Sequence, residues 1–71
     1  MEFYIKDDFI KLGQVLKAAG LCESGVEAKY DIVNGEVKVN GNTEIQRGKK
    51  IVAGDVIEYK GNSLIIKQKE A

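Results

Sequence analysis

The sequence predicts an α+β fold: two N-terminal helices packed on a small, mostly antiparallel sheet. Three observations carry that expectation. Apolar residues recur at helical spacing as far as Asn34, the apolar period changes to two from Glu36 onward, and glycine turns then cut the rest into short strands. A chain of 71 residues is expected to form one domain over 1–71. A domain this size buries only about 60% of the surface its unfolded form exposes.

The elements follow in order. Glu2 to Lys6 alternates loosely, with Phe3 and Ile5 apolar, and suits a short edge strand. Asp7 or Asp8 then offers an N-cap for a first helix, whose apolar face would be Phe9, Leu12, Leu16 and Ala19. Gly20 closes it where a left-handed residue is cheapest. Ser24 and Glu27 have the S-x-x-E spacing of a capping box and open the second helix. Ala28 and Ile32 share its inner face with Val33 beside them, and Asn34-Gly35 ends it. In EVKVNG, Val37 and Val39 fall on one side of a strand and Glu36, Lys38 and Asn40 on the other. Asn40-Gly41 is a tight-turn signal. QRGKK then reads as a loop or irregular strand, and Ile51 and Val52 return to the core. After a turn at Ala53-Gly54-Asp55, VIEYKGNSLIIK forms a hairpin around Gly61-Asn62.

Composition excludes several functions. The chain is 44% hydrophobic and 31% charged, as soluble globular proteins are. MEFYIKDDF carries acids where a signal peptide needs an apolar core, and no apolar run approaches the ~20 residues that span a bilayer. A lone cysteine fits a reducing cytoplasm. Histidine is absent, so a zinc site of Cys/His ligands and a Ser-His or Cys-His nucleophile pair are both excluded. A chain this small has little volume for a closed pocket, so neither an enzyme nor a cofactor is expected.

The distribution of charge says more than its sum. The 11 basic and 11 acidic residues cancel. Yet QRGKKIVAGD holds Arg47, Lys49 and Lys50 and no acid before Asp55. Unbalanced cations in a short turn suit a phosphate backbone, which needs several spaced cations and backbone donors. Taken singly, each lysine reads more readily as a solvated surface charge.

The order of the signals resembles the RNA-binding domain of small-subunit ribosomal protein S-four, the αL motif. The pieces are Leu12 and Leu16, Gly20-Leu21, Ser24 with Ala28-Lys29, the run Gly35 to Gly41 (GEVKVNG), and Gly54-Asp55-Val56-Ile57. LGQVLK, ESGVEAK and QRGKKIVAGD are similar to the small stand-alone bacterial members of the YaaA and YbcJ type. The resemblance implies a cytoplasmic bacterial module that binds structured RNA, ribosomal or transfer RNA, through its second helix and the adjoining sheet surface. A monomer is expected. Many members carry arginine after the capping serine, where this chain has Gly25, and a basic or neutral residue where it has Glu36.

On that resemblance the candidate contacts are Lys11, Lys17, Ser24, Gly25, Lys29, Tyr30, Lys38, Arg47, Lys49 and Lys50. Ser24 caps a helix and presents that helix start to a phosphate, while Gly25 lets a backbone approach closely. Tyr30 either stacks on an unpaired base or packs half-buried. Few aromatics favour reading of shape and backbone over linear sequence. The rival is a protein-interaction module whose basic loop meets an acidic partner. Duplex DNA fits less well, because of the Arg, Asn and Gln residues that read the major groove the two helices carry only Gln14.

Overall fold

The computed structural model describes residues 1–70. The elements are β1 (Glu2–Ile5), β2 (Ile10–Lys11), α1 (Leu12–Ala18), α2 (Gly25–Val33), β3 (Val37–Val39), β4 (Asn42–Thr43), β5 (Lys50–Ile51), β6 (Val56–Tyr59) and β7 (Asn62–Gln68). A five-stranded sheet has the order β1-β7-β6-β3-β4, and β2 and β5 form a separate antiparallel pair. β1 runs parallel to β7 at one edge, and the other pairings of the large sheet are antiparallel. The fold is α+β as the pattern implies. The helices lie mid-chain, however, after β1 and β2, and are not N-terminal.

Neither Asp7 nor Asp8 caps α1. The chain bends there and runs on as β2, with Ile10 opposite Ile51 and Lys11 opposite Lys50. The first helical N–H groups, of Leu12 and Gly13, donate to the carbonyls of Lys49 and Arg47 at 2.9 and 3.0 Å. Main-chain oxygens of a distant loop thus satisfy the donors that an aspartate side chain would otherwise take. Phe9, expected at the head of the buried face, is partly exposed with the Lys50 ammonium 4.8 Å from its ring centre.

Both helix ends follow their sequence signals. Gly20 has φ 77° and Gly35 φ 79°. At the first, Gly20 N–H reaches Lys17 O and Leu21 N–H reaches Leu16 O. At the second, Gly35 N–H reaches Ile32 O and Glu36 N–H reaches Asp31 O. Both are Schellman closures, which return orphan carbonyls to hydrogen bonds.

The inner faces of the helices and the large sheet meet in one apolar core. Leu12, Leu16, Ala28, Ile32, Val37, Ile51, Ile57, Leu64 and Ile66 are fully buried within it. Val33 and Val52, expected inside, face out, because Val33 lies off the Ala28/Ile32 stripe and Val52 alternates with buried Ile51. The last hairpin turns at Lys60-Gly61, one residue earlier than the sequence suggests, with φ 48° and 79°.

The motif residues Asn40 and Asp55 hold the turns together. Asn40 Nδ2 donates to Asp55 Oδ1 at 3.0 Å, Asn40 Oδ1 accepts from Val56 N–H at 2.9 Å, and Asp55 Oδ2 accepts from Val52 N–H at 2.9 Å. Asn40 also adopts φ 53°, a region that asparagine tolerates better than most residues. The substitution Asn40→Ala removes both side-chain bonds and is expected to cost about 1–2 kcal/mol in urea unfolding. An unchanged midpoint would show that the clamp is dispensable.

Candidate nucleic-acid interface

Side-chain spacing on two short helices builds a cleft. Gln14 and Lys17 are three apart on α1, Lys11 precedes them by the same spacing at the end of β2, and Gly25 and Lys29 are four apart on α2, so each helical pair shares a face. The faces border one concavity of about 390 Å³, which Arg47 and Gly48 of the loop before β5 also line. Gly13 completes the lining. The carbonyls of residues 47 and 49 tie this loop to the start of α1, and a Cβ on Gly13 would lie 3.6 Å from Arg47 Cβ.

The electrostatics are one-sided. Lys11, Lys17, Lys29 and Arg47 line the cleft, and no acid does. Among the described residues the ion pairs are Lys60–Asp31 at 3.4 Å and Lys67–Glu2 at 3.7 Å, so none of the four cleft cations is neutralised. The acids of α2 turn to the other flank. Asp31 accepts a hydrogen bond from the Tyr59 hydroxyl and pairs with Lys60, while Glu27 Oε2 accepts from Glu23 N–H at 3.4 Å. Cys22 Sγ donates to the Tyr59 oxygen at 3.3 Å, and Tyr59 itself is buried. Burial first, then the bonds to Asp31 and Cys22, push the Tyr59 hydroxyl well above the ordinary tyrosine range. The ligand atoms of Cys22, Glu27 and Asp31 lie within 4.8 Å of one another, but both carboxylates are already engaged as described.

The structure brings Lys11, Lys17, Gly25, Lys29 and Arg47 together and separates the other candidates from them. Ser24 caps α2, its Oγ accepting from Glu27 N–H at 3.2 Å, and does not line the cleft. Tyr30 is exposed on the outer side of α2 and stands apart from it. Lys38 lies on the large sheet opposite Glu58 and Thr43, bordering a different hollow. Lys49 and Lys50 border another, shared with Glu44 and Asp55, and Lys50 also lies over Phe9. The QRGKK segment is therefore not one cluster: Arg47 faces the cleft, and its two lysines do not. Gly13, Gln14 and Gly48 line the cleft and were not candidates. A signal existed at Gly13, since glycine inside a helix is unfavourable and asks for a reason.

Fold and cleft together define a small α+β domain that presents a cation-lined pair of helices. The chain belongs to the S4 domain family, whose model matches residues 3–67. YbcJ of Escherichia coli (strain K12) is 41% identical over 59 residues, covering 83% of this chain and 84% of the relative. RlbA of Bacillus subtilis (strain 168), which bears the name "Probable ribosome maturation protein", is 42% identical over 57 residues and 80% of each chain. The solution structure of Escherichia coli YbcJ, described as revealing an αL motif involved in RNA-binding, superposes with a TM-score of 0.73 at 37% identity. It covers 93% of this chain and 85% of that one.

Proposed function

We propose that this protein is a binding module, not an enzyme, that grips the phosphate backbone of structured RNA in the cleft between α1 and α2. The carrying observation is the convergence of Lys11, Lys17, Lys29 and Arg47, from separate elements, on one concave floor without an opposing acid. Flexible cations on a fixed concavity suit phosphate contacts, which position a protein without reading sequence. The αL motif described for YbcJ and the name of RlbA support RNA over other polyanions and suggest a role in ribosome maturation. No described helix is long and apolar enough to cross a membrane, and the reading places the protein in the cytoplasm as a monomer.

Filter binding of bulk transfer RNA, ribosomal RNA and duplex DNA over a range of salt concentrations tests this. With four cleft cations neutralising phosphates, log K should fall against log salt with a slope of roughly −3 to −4. RNA should be preferred to DNA. A slope near zero would sink the reading.

One observation favours a protein partner instead. Val26, Tyr30 and Val33 follow helical spacing on the outside of α2, all more than half exposed. The RNA reading expects Val26→Ser with Val33→Ser to leave RNA affinity unchanged.

A further inference from the structure

Most glycines of this chain are explained by its turns. Gly20, Gly35, Gly41, Gly54 and Gly61 all have positive φ, where a side chain would be strained. Gly25 and Gly48 are different. Neither has a positive φ, and a Cβ built on either would meet nothing within 4 Å. The fold would accept alanine at both positions, and in the first turn of α2 alanine would be the better helix former. Both residues lie in the wall of the cation-lined cleft, so what they provide is bare main chain facing its open space.

We propose that Gly25 and Gly48 hold open a slot in which one sugar–phosphate strand of an RNA lies directly against the protein main chain. The proposal rests on the RNA reading above and names the part of the RNA that enters. The cleft, at about 390 Å³, sits near the small end of the roughly 300–1,000 Å³ typical of ligand sites, a size that suits a single strand better than a duplex. No aromatic side chain lines it, whereas sites for splayed bases rely on aromatic faces. Cations on the walls and exposed backbone between them match phosphates and ribose instead. The uncharged polar side chain in the lining is Gln14, whose Oε1 accepts from Lys11 N–H at 3.4 Å and whose amide protons remain to donate to a ribose or phosphate oxygen. A methyl group at residue 25 or 48 would stand between strand and main chain and lengthen the reach required of Lys29 and Arg47.

The experiment pairs thermal unfolding with filter binding of bulk transfer and ribosomal RNA for wild type, Gly25→Ala, Gly48→Ala and the double variant. The expected result is unfolding at or above the wild-type temperature for all three variants. RNA affinity should be roughly tenfold weaker for each single substitution and weaker again for the double. Gly20→Ala serves as the contrast, with a lowered unfolding temperature and wild-type affinity, because Gly20 has φ 77° and lies outside the cleft. If the alanine variants bind RNA like wild type, the slot is overturned while the charge-based reading stands. Unfolding temperatures below wild type would overturn it too, by showing that the fold itself needs these glycines. If wild type binds neither RNA, both readings fall together.

Discussion

Replacing Lys17, Lys29 and Arg47 together with alanine is expected to lower RNA affinity about a hundredfold at moderate salt, at about 1 kcal/mol for each exposed cation–phosphate contact. The variant should remain folded, since Lys17 and Lys29 are exposed and Arg47 binds α1 through its carbonyl, which alanine keeps. Two comparisons make the experiment decisive. Lys6, Lys67 and Lys69 border a separate hollow at the sheet edge, so their triple alanine variant removes the same charge from a different place. It should lose only a few-fold. The variant Arg47→Ala, Lys49→Ala, Lys50→Ala should fall between, because one of its three cations faces the cleft. Equal losses in all three would mean that affinity follows net charge and that no cleft exists in function.

Asp31→Ala is expected to destabilise the protein by about 2–3 kcal/mol, because it strands the buried Tyr59 hydroxyl without its carboxylate acceptor. A domain of this size holds roughly 4–10 kcal/mol in all, so thermal unfolding should move down by 10 °C or more. The lost Lys60 pair adds little, since the lysine side chain is half exposed. The same hydroxyl gives stability a dependence on alkaline pH. Burial, then Asp31 and Cys22, hold the Tyr59 proton in the native state, while the unfolded chain releases it near pH 10. The unfolded state therefore binds fewer protons above that value. The contribution is complete below about pH 10 and declines as pH rises beyond it, by up to ~1.4 kcal/mol per pH unit. Urea unfolding at pH 9, 10 and 11 should show a steeper decline for wild type than for Tyr59→Phe. Parallel declines would mean that the proton is not held.

What the sequence made legible was local. Gly20, Gly35 and Asn40-Gly41 each declare a left-handed residue at a chain reversal, and the structure closes its helices and first hairpin there. Ser24 and Glu27 declare a helix start in the same way. What stayed hidden depends on partners distant in sequence. The spacing of Phe9 with Leu12 and Leu16 fits a helix well, and only the pairing of Ile10 and Lys11 with Ile51 and Lys50 shows that the helix starts later. The parallel placement of β1 on β7 is invisible for the same reason. The second hairpin shifted by one residue because Lys60, which has no special aptitude for positive φ, takes it in the turn. Of the candidate site, the helix cations and Gly25 were legible from periodicity and resemblance. The division of Arg47 from Lys49 and Lys50 was not, because it is set by which way a loop turns its carbonyls, and no side-chain pattern encodes that.

That loop has a consequence for motion. Its carbonyls at residues 47 and 49 are the acceptors for the amides of Gly13 and Leu12, while the Arg47 side chain faces the cleft. Any excursion of the loop releases those two amides to solvent, and any strand seated against Arg47 damps the excursion. Leu12 and Gly13 are thus expected to act as built-in gauges of occupancy: hydrogen exchange at their amides should slow when RNA fills the cleft, and unchanged exchange would show that the loop is not damped.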